Sequence, residues 1–146
     1  MLFNMLIGLS TMGLCLVSQS FLLVAALRYY ARHGALVERE SNWWALLVLN
    51  AVMSLLVIGN MLQIAIWATV FRLLGEFESI GKAAYHSAVN FSSLGYGDIV
   101  MSERFKLLGP MEAVNGVLMI GISTAMLIAV FQDMMRKAMA RRREVK

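Results

Sequence analysis

The chain has 146 residues, of which 60% are hydrophobic and 15% charged, and its mean hydropathy is +0.70. Soluble domains carry about a quarter charged residues, so these values argue against one and for a single membrane-embedded domain. The formal charge of +4 and pI near 9.6 do not point to nucleic acid, because the positive charge is local: Arg136, Lys137, Arg141, Arg142, Arg143 and Lys146 all follow one hydrophobic stretch.

The first element is the uncharged run that ends at Arg28. A membrane-spanning helix needs about 20 mostly apolar residues, and this run is long enough. No Lys or Arg precedes it and it exceeds the short core of a signal peptide, so it reads as a retained helix closed by Tyr29 and Tyr30. Cys15, the one cysteine, lies inside it and has no partner in the chain for a disulfide.

A connection from Arg28 to Asn42 follows, with Arg28, Arg32 and Arg39 against Glu38 and Glu40. Trp43 and Trp44 then open a second uncharged run, Ser41 to Phe71. Trp and Tyr favour the headgroup zone. A third apolar run, Leu107 to Gln132, is broken only by Glu112. Pro110 is expected at the first position of that helix, which would put Glu112 in its first turn, where the helix dipole favours an acid. Basic residues flanking spans stay on the cytoplasmic side. Two spans separate the connection from the basic tail, so both can be cytoplasmic. The N-terminus and the stretch Arg72 to Lys106 are then outside.

That outer stretch holds the informative residues. Ser79 to Phe91, SIGKAAYHSAVNF, has helix-forming Lys82, Ala83 and Ala84 and apolar residues at helical spacing. A helix of this length, about 20 Å, reaches only partway into a bilayer. Non-helical backbone at membrane depth must be buried in protein or line water, so a half-helix before a glycine turn predicts a re-entrant element. The expected fold is an all-α membrane protein: three transmembrane helices with a re-entrant pore helix and loop between the second and third.

The turn reads Ser92-Ser93-Leu94-Gly95-Tyr96-Gly97-Asp98. It resembles the potassium channel family, whose filter signature is Thr-Val-Gly-Tyr-Gly-Asp, being identical at Gly95, Tyr96, Gly97 and Asp98 and conservative at Ser93 and Leu94. The resemblance runs from about Glu76 to Gln132 and excludes the first helix. It implies that Ser93, Leu94, Gly95, Tyr96 and Gly97 hold potassium ions through backbone carbonyls, with Ser93 adding a hydroxyl oxygen. Such carbonyl rings replace the ion's hydration shell, and Gly95 and Gly97 can adopt the left-handed backbone that this needs. By the same resemblance Tyr85 can hydrogen-bond Asp98 and brace the outer mouth, and three further copies of the chain close a homotetrameric ring. Gly116 and Gly121 become candidate gating hinges, Gly121 through its segment Gly121-Ile122-Ser123-Thr124. Close helix packing is the other reading of both glycines. His86 reads as a packing or hydrogen-bonded residue, with a proton sensor as the alternative.

The implied organisation is residues 1–42 as an N-terminal transmembrane helix and cytoplasmic loop, 43–132 as the pore domain, and 133–146 as a basic cytoplasmic tail near anionic headgroups. The expected function is a passive potassium channel of the cell (inner) membrane with no cofactor beyond the permeant ion. No metal cluster, nucleophile–base pair or phosphate loop suggests an enzyme. Ser93 in place of Thr and Leu94 in place of Val leave a weakly selective cation channel as the alternative.

Overall fold

The computed structural model describes residues 1–37 and 42–144, and the side chains of 1–34 and 43–140. It contains four helices in chain order: α1 (Leu2–Val37), α2 (Asn42–Leu73), α3 (Ile80–Phe91) and α4 (Leu108–Glu144). Among the described residues there is no strand. Stretches of 33, 31 and 33 residues in α1, α2 and α4 are long and apolar enough to cross a bilayer, whose hydrocarbon core is about 30 Å thick. Large apolar side chains such as Leu6, Val17, Leu47, Val57, Val117 and Ile128 are exposed around all three. Helices that are apolar all round are membrane spans rather than surface helices of a soluble domain. Lipid offers no hydrogen bonds, so a span must satisfy its backbone internally, as a helix does. The molecule is an all-α membrane protein.

Two boundaries differ from the sequence expectation. α1 does not close at Tyr29 and Tyr30 but continues to Val37, so Arg28 and Arg32 are helical. Nothing in that segment breaks a helix, and long basic side chains reach water from a helix end. α4 begins at Leu108, two residues before Pro110. The proline still falls within the first turn, where its missing N–H would have had no intrahelical acceptor. Glu112 consequently lies beyond the first turn and is fully buried, so it is not a dipole-capping acid. Of the charges expected in the connection and tail, Glu38, Arg39, Glu40 and Lys146 lie outside the described residues, and Arg141, Arg142 and Arg143 outside the described side chains.

The interior is stratified along the helix axes. At the end that carries α3, Cys15, Trp67, Ala68, Phe71, Phe77, Ala83, Phe105 and Leu108 form one apolar cluster. At the other end, Ala26, Tyr30, Val48, Val52, Leu56, Val130 and Met134 form a second. Between them lies a polar belt. Gln63 Nε2 donates to Gln19 Oε1 at 2.8 Å, and Gln19 Nε2 donates to Ser123 Oγ at 2.9 Å. Gln19, Gln63 and Ser123 are all buried. The belt therefore ties α1, α2 and α4 together at mid-depth, where an unpaired amide in hydrocarbon would cost several kcal/mol. At the far end Tyr30 Oη donates to Asp133 Oδ2 at 2.7 Å, a second link between α1 and α4.

Candidate functional site: the loop between α3 and α4

α3 starts where Ser79, in extended conformation, turns its hydroxyl back to accept from the Lys82 N–H at 3.3 Å. This is an ordinary N-cap for a helix whose first N–H groups lack intrahelical partners. One face is buried, with apolar Ala83, Val89 and Phe91 and polar His86 and Ser87. α3 packs on both α2 and α4. The contact with α4 is close because residue 116 is glycine: a Cβ there would collide with the Phe91 carbonyl group. At Gly121, by contrast, a Cβ would meet nothing within 4 Å.

The helix ends at Phe91, and the Ser92, Ser93, Leu94 and Gly95 N–H groups fold back onto the carbonyls of Ala88, Asn90 and Val89. Backbone handedness then alternates. Ser93, Gly95 and Gly97 have φ of 58°, 60° and 72°, while Leu94 and Tyr96 between them are not left-handed. Glycine adopts positive φ without steric cost, and Gly95 and Gly97 stand where the turn motif needs it. Ser93 is an unexpected third member. Positive φ is uncommon outside glycine, and no local sequence signal marks this serine. Residues Ser92 to Asp98 are all exposed in the single chain.

The exit from the loop is held by consecutive residues of α3. Tyr85 Oη donates to Asp98 Oδ2 at 2.7 Å, the contact that the resemblance implied. This bond, which the phenol loses on ionising, raises the Tyr85 pKa. His86 Nδ1 lies 2.9 Å from the Ile99 carbonyl oxygen, and its Nε2 lies 2.8 Å from Asn90 Nδ2. A carbonyl only accepts and an amide nitrogen only donates, so this arrangement suits a neutral ring with its proton on Nδ1. Burial accordingly lowers the His86 pKa, opposed by the Ile99 carbonyl. Phe77 and Phe71 flank the imidazole, with ring centroids 4.9 and 5.6 Å away. His86 is therefore a hydrogen-bonded packing residue in this structure.

A further brace has no counterpart in the sequence reading. Glu76 accepts from Ser102 N–H and Ser102 Oγ, both at 2.7 Å, through its two carboxylate oxygens. The only available signal was an acid just beyond a helix end, which is too common to read.

A short half-helix between two spans, followed by a glycine turn of alternating handedness, is the anatomy of a pore loop. The family model described as ion channel matches residues 61–133. The chain belongs to the ion channel family, of pore-loop type. The match begins midway along α2 and takes in α3, the loop and most of α4; α1 lies outside it. Neither the curated proteins nor the solved structures gave a match. The channel is thus a membrane transport protein built on a family pore module, with α1 added to it.

Proposed function

We propose that the channel selects potassium, conducting it through the backbone carbonyls of Ser93, Leu94, Gly95, Tyr96 and Gly97 on the axis of a homotetramer. The observation that carries this reading is the alternation of handedness at Ser93, Gly95 and Gly97. Alternating left- and right-handed residues aim successive carbonyls toward one side, where a ring of copies can surround a dehydrated cation. One chain supplies one strand of such a ring, and its loop is exposed when alone; a cyclic assembly would cover it. Tyr85 and Asp98 support the strand from behind. Conduction is passive. Residues 43–132 form the pore domain, with 1–42 and the basic segment 133–146 as additions to it. Gly116 and Gly121 are the hinge candidates, and Gly121 is the freer of the two. The permeant ion is the sole non-protein component, and anionic headgroups are the partners of the tail.

A weakly selective cation channel is the second reading, favoured by Ser93, which lacks a methyl group that would tighten the inner ring, and by the bulky Leu94. Reconstitution into liposomes distinguishes the two. Potassium flux blocked by barium, with a reversal potential near the potassium value in mixed potassium and sodium, is expected. Equal permeability would favour the second reading. Native mass measurement in detergent should give four copies, and a conducting monomer or dimer would overturn the assembly.

A further inference from the structure

Glu112 is fully buried where α4 crosses α2 and α3, and its hydrogen bonds bear on whether it carries a proton. Ser87 Oγ lies 2.9 Å from the Ile64 carbonyl oxygen and is also hydrogen-bonded to Glu112 Oε1. A serine hydroxyl carries one proton; a carbonyl oxygen only accepts, and so does an ionised carboxylate. With Glu112 ionised, one hydroxyl proton would have to serve two acceptors. With Glu112 protonated, both bonds are made: the carboxylic acid donates to Ser87 Oγ, and the Ser87 hydroxyl donates to Ile64.

The neighbours supply no countercharge. α1 presents the Cys15 thiol, and α3 presents Ser87 and Asn90, both of which approach the Glu112 carboxyl as uncharged hydrogen-bonding groups, Asn90 being shared with His86. α2 contributes the Ile64 carbonyl, and on α4 itself Asn115, one turn on, is uncharged and hydrogen-bonded to Gln63 at 3.4 Å. Glu112 Oε2 has no hydrogen-bond partner. A buried carboxylate without a cation is strongly disfavoured. A neutral acid is tolerated there.

We propose that Glu112 is a proton-binding site at the back of the pore helix, and that the bound proton positions this helix through the relay Glu112–Ser87–Ile64. Loss of the proton would leave a bare charge against Ser87, one turn before the helix end that supports the conducting loop. The conducting arrangement would then be lost as pH rises. The flux part of this inference rests on the proposed conduction path; the proton itself does not.

Two readouts on the full-length channel keep these separate. Infrared difference spectra, titrated from neutral to alkaline pH in detergent, should show a hydrogen-bonded carboxylic acid carbonyl band that disappears on alkalinisation. The band should be missing in Glu112→Gln and shifted in Ser87→Ala, so the test survives if one variant fails to assemble. Absence of the acid band at neutral pH, or its persistence unchanged in Glu112→Gln, overturns the proton site; an unshifted band in Ser87→Ala overturns the relay. In liposomes, wild-type potassium flux should be lost as pH rises while Glu112→Gln keeps its flux. A band that titrates with flux unchanged overturns the positioning role. Absence of flux at every pH counts against the conduction reading, and the infrared result still decides the proton.

Discussion

A residue held at positive φ is free of strain only if it lacks a Cβ, and this makes Gly95 and Gly97 in the loop between α3 and α4 sensitive to a single added methyl group. Alanine at Gly97, where φ is 72°, would carry about 1–2 kcal/mol of backbone strain in each copy. Flux through Gly97→Ala channels in liposomes should fall to background, although the protein still assembles. The two hinge candidates on α4 should separate cleanly. Gly116→Ala forces a methyl group into the Phe91 carbonyl. Overpacking of this kind costs about 1–3 kcal/mol, visible as a lower thermal midpoint in detergent. Gly121→Ala meets no atom within 4 Å and should leave that midpoint unchanged. A gating change in Gly121→Ala at constant stability would mark it as the hinge. Gly95, Tyr96, Gly97 and Asp98 were legible because their chemistry is local: the motif alone tells which backbone must turn left-handed. The left-handed backbone of Ser93 and the partners of Glu76 and Glu112 were not. No local signal marks the first, and the partners lie on segments that only tertiary packing brings together, Ser102 for Glu76 and Ser87 for Glu112.

At the scale of elements, the three spans could be read from uncharged runs, and α3 from its helix-forming residues and helical spacing. Their ends were less legible. α1 outran its tyrosines by most of two turns, and α4 began before its proline, since neither boundary is marked by a residue that must stop a helix. The contact between α1 and the pore module had no sequence signal at all. Its buried polar part centres on Gln19, which donates to Ser123 and accepts from Gln63. Hydrogen bonds between membrane helices are worth about 0.6 kcal/mol on average and up to about 1.7. Replacing Gln19 by leucine breaks two of them and leaves the Gln63 amide short of an acceptor. Unfolding in mixed micelles should show Gln19→Leu destabilised by about 1–3 kcal/mol. Unchanged stability would mean that the belt contributes nothing net.

For the whole molecule, orientation is read by a labelling experiment. The rule that basic residues flanking spans stay cytoplasmic predicts the loop end outside and the α4 tail inside. The Glu78 side chain is 91% exposed at the loop end, and Met139 is exposed near the tail. The native Cys15 is buried and gives little background. An impermeant thiol reagent added to intact cells should label Glu78→Cys at once, and Met139→Cys only after permeabilisation. The opposite pattern would invert the topology.

The polar belt also bears on how the chain is made. A ribosome delivers α1 first, and with it a glutamine that finds no partner in lipid. Gln63 arrives with α2, the next span, so the Gln19–Gln63 bond can close while the remainder is still being synthesised. Ser123 emerges last, and the hairpin must wait for it. The order of translation is thus the order in which these amides find their partners, and a chain arrested before α4 would leave the membrane-insertion machinery holding a half-satisfied pair.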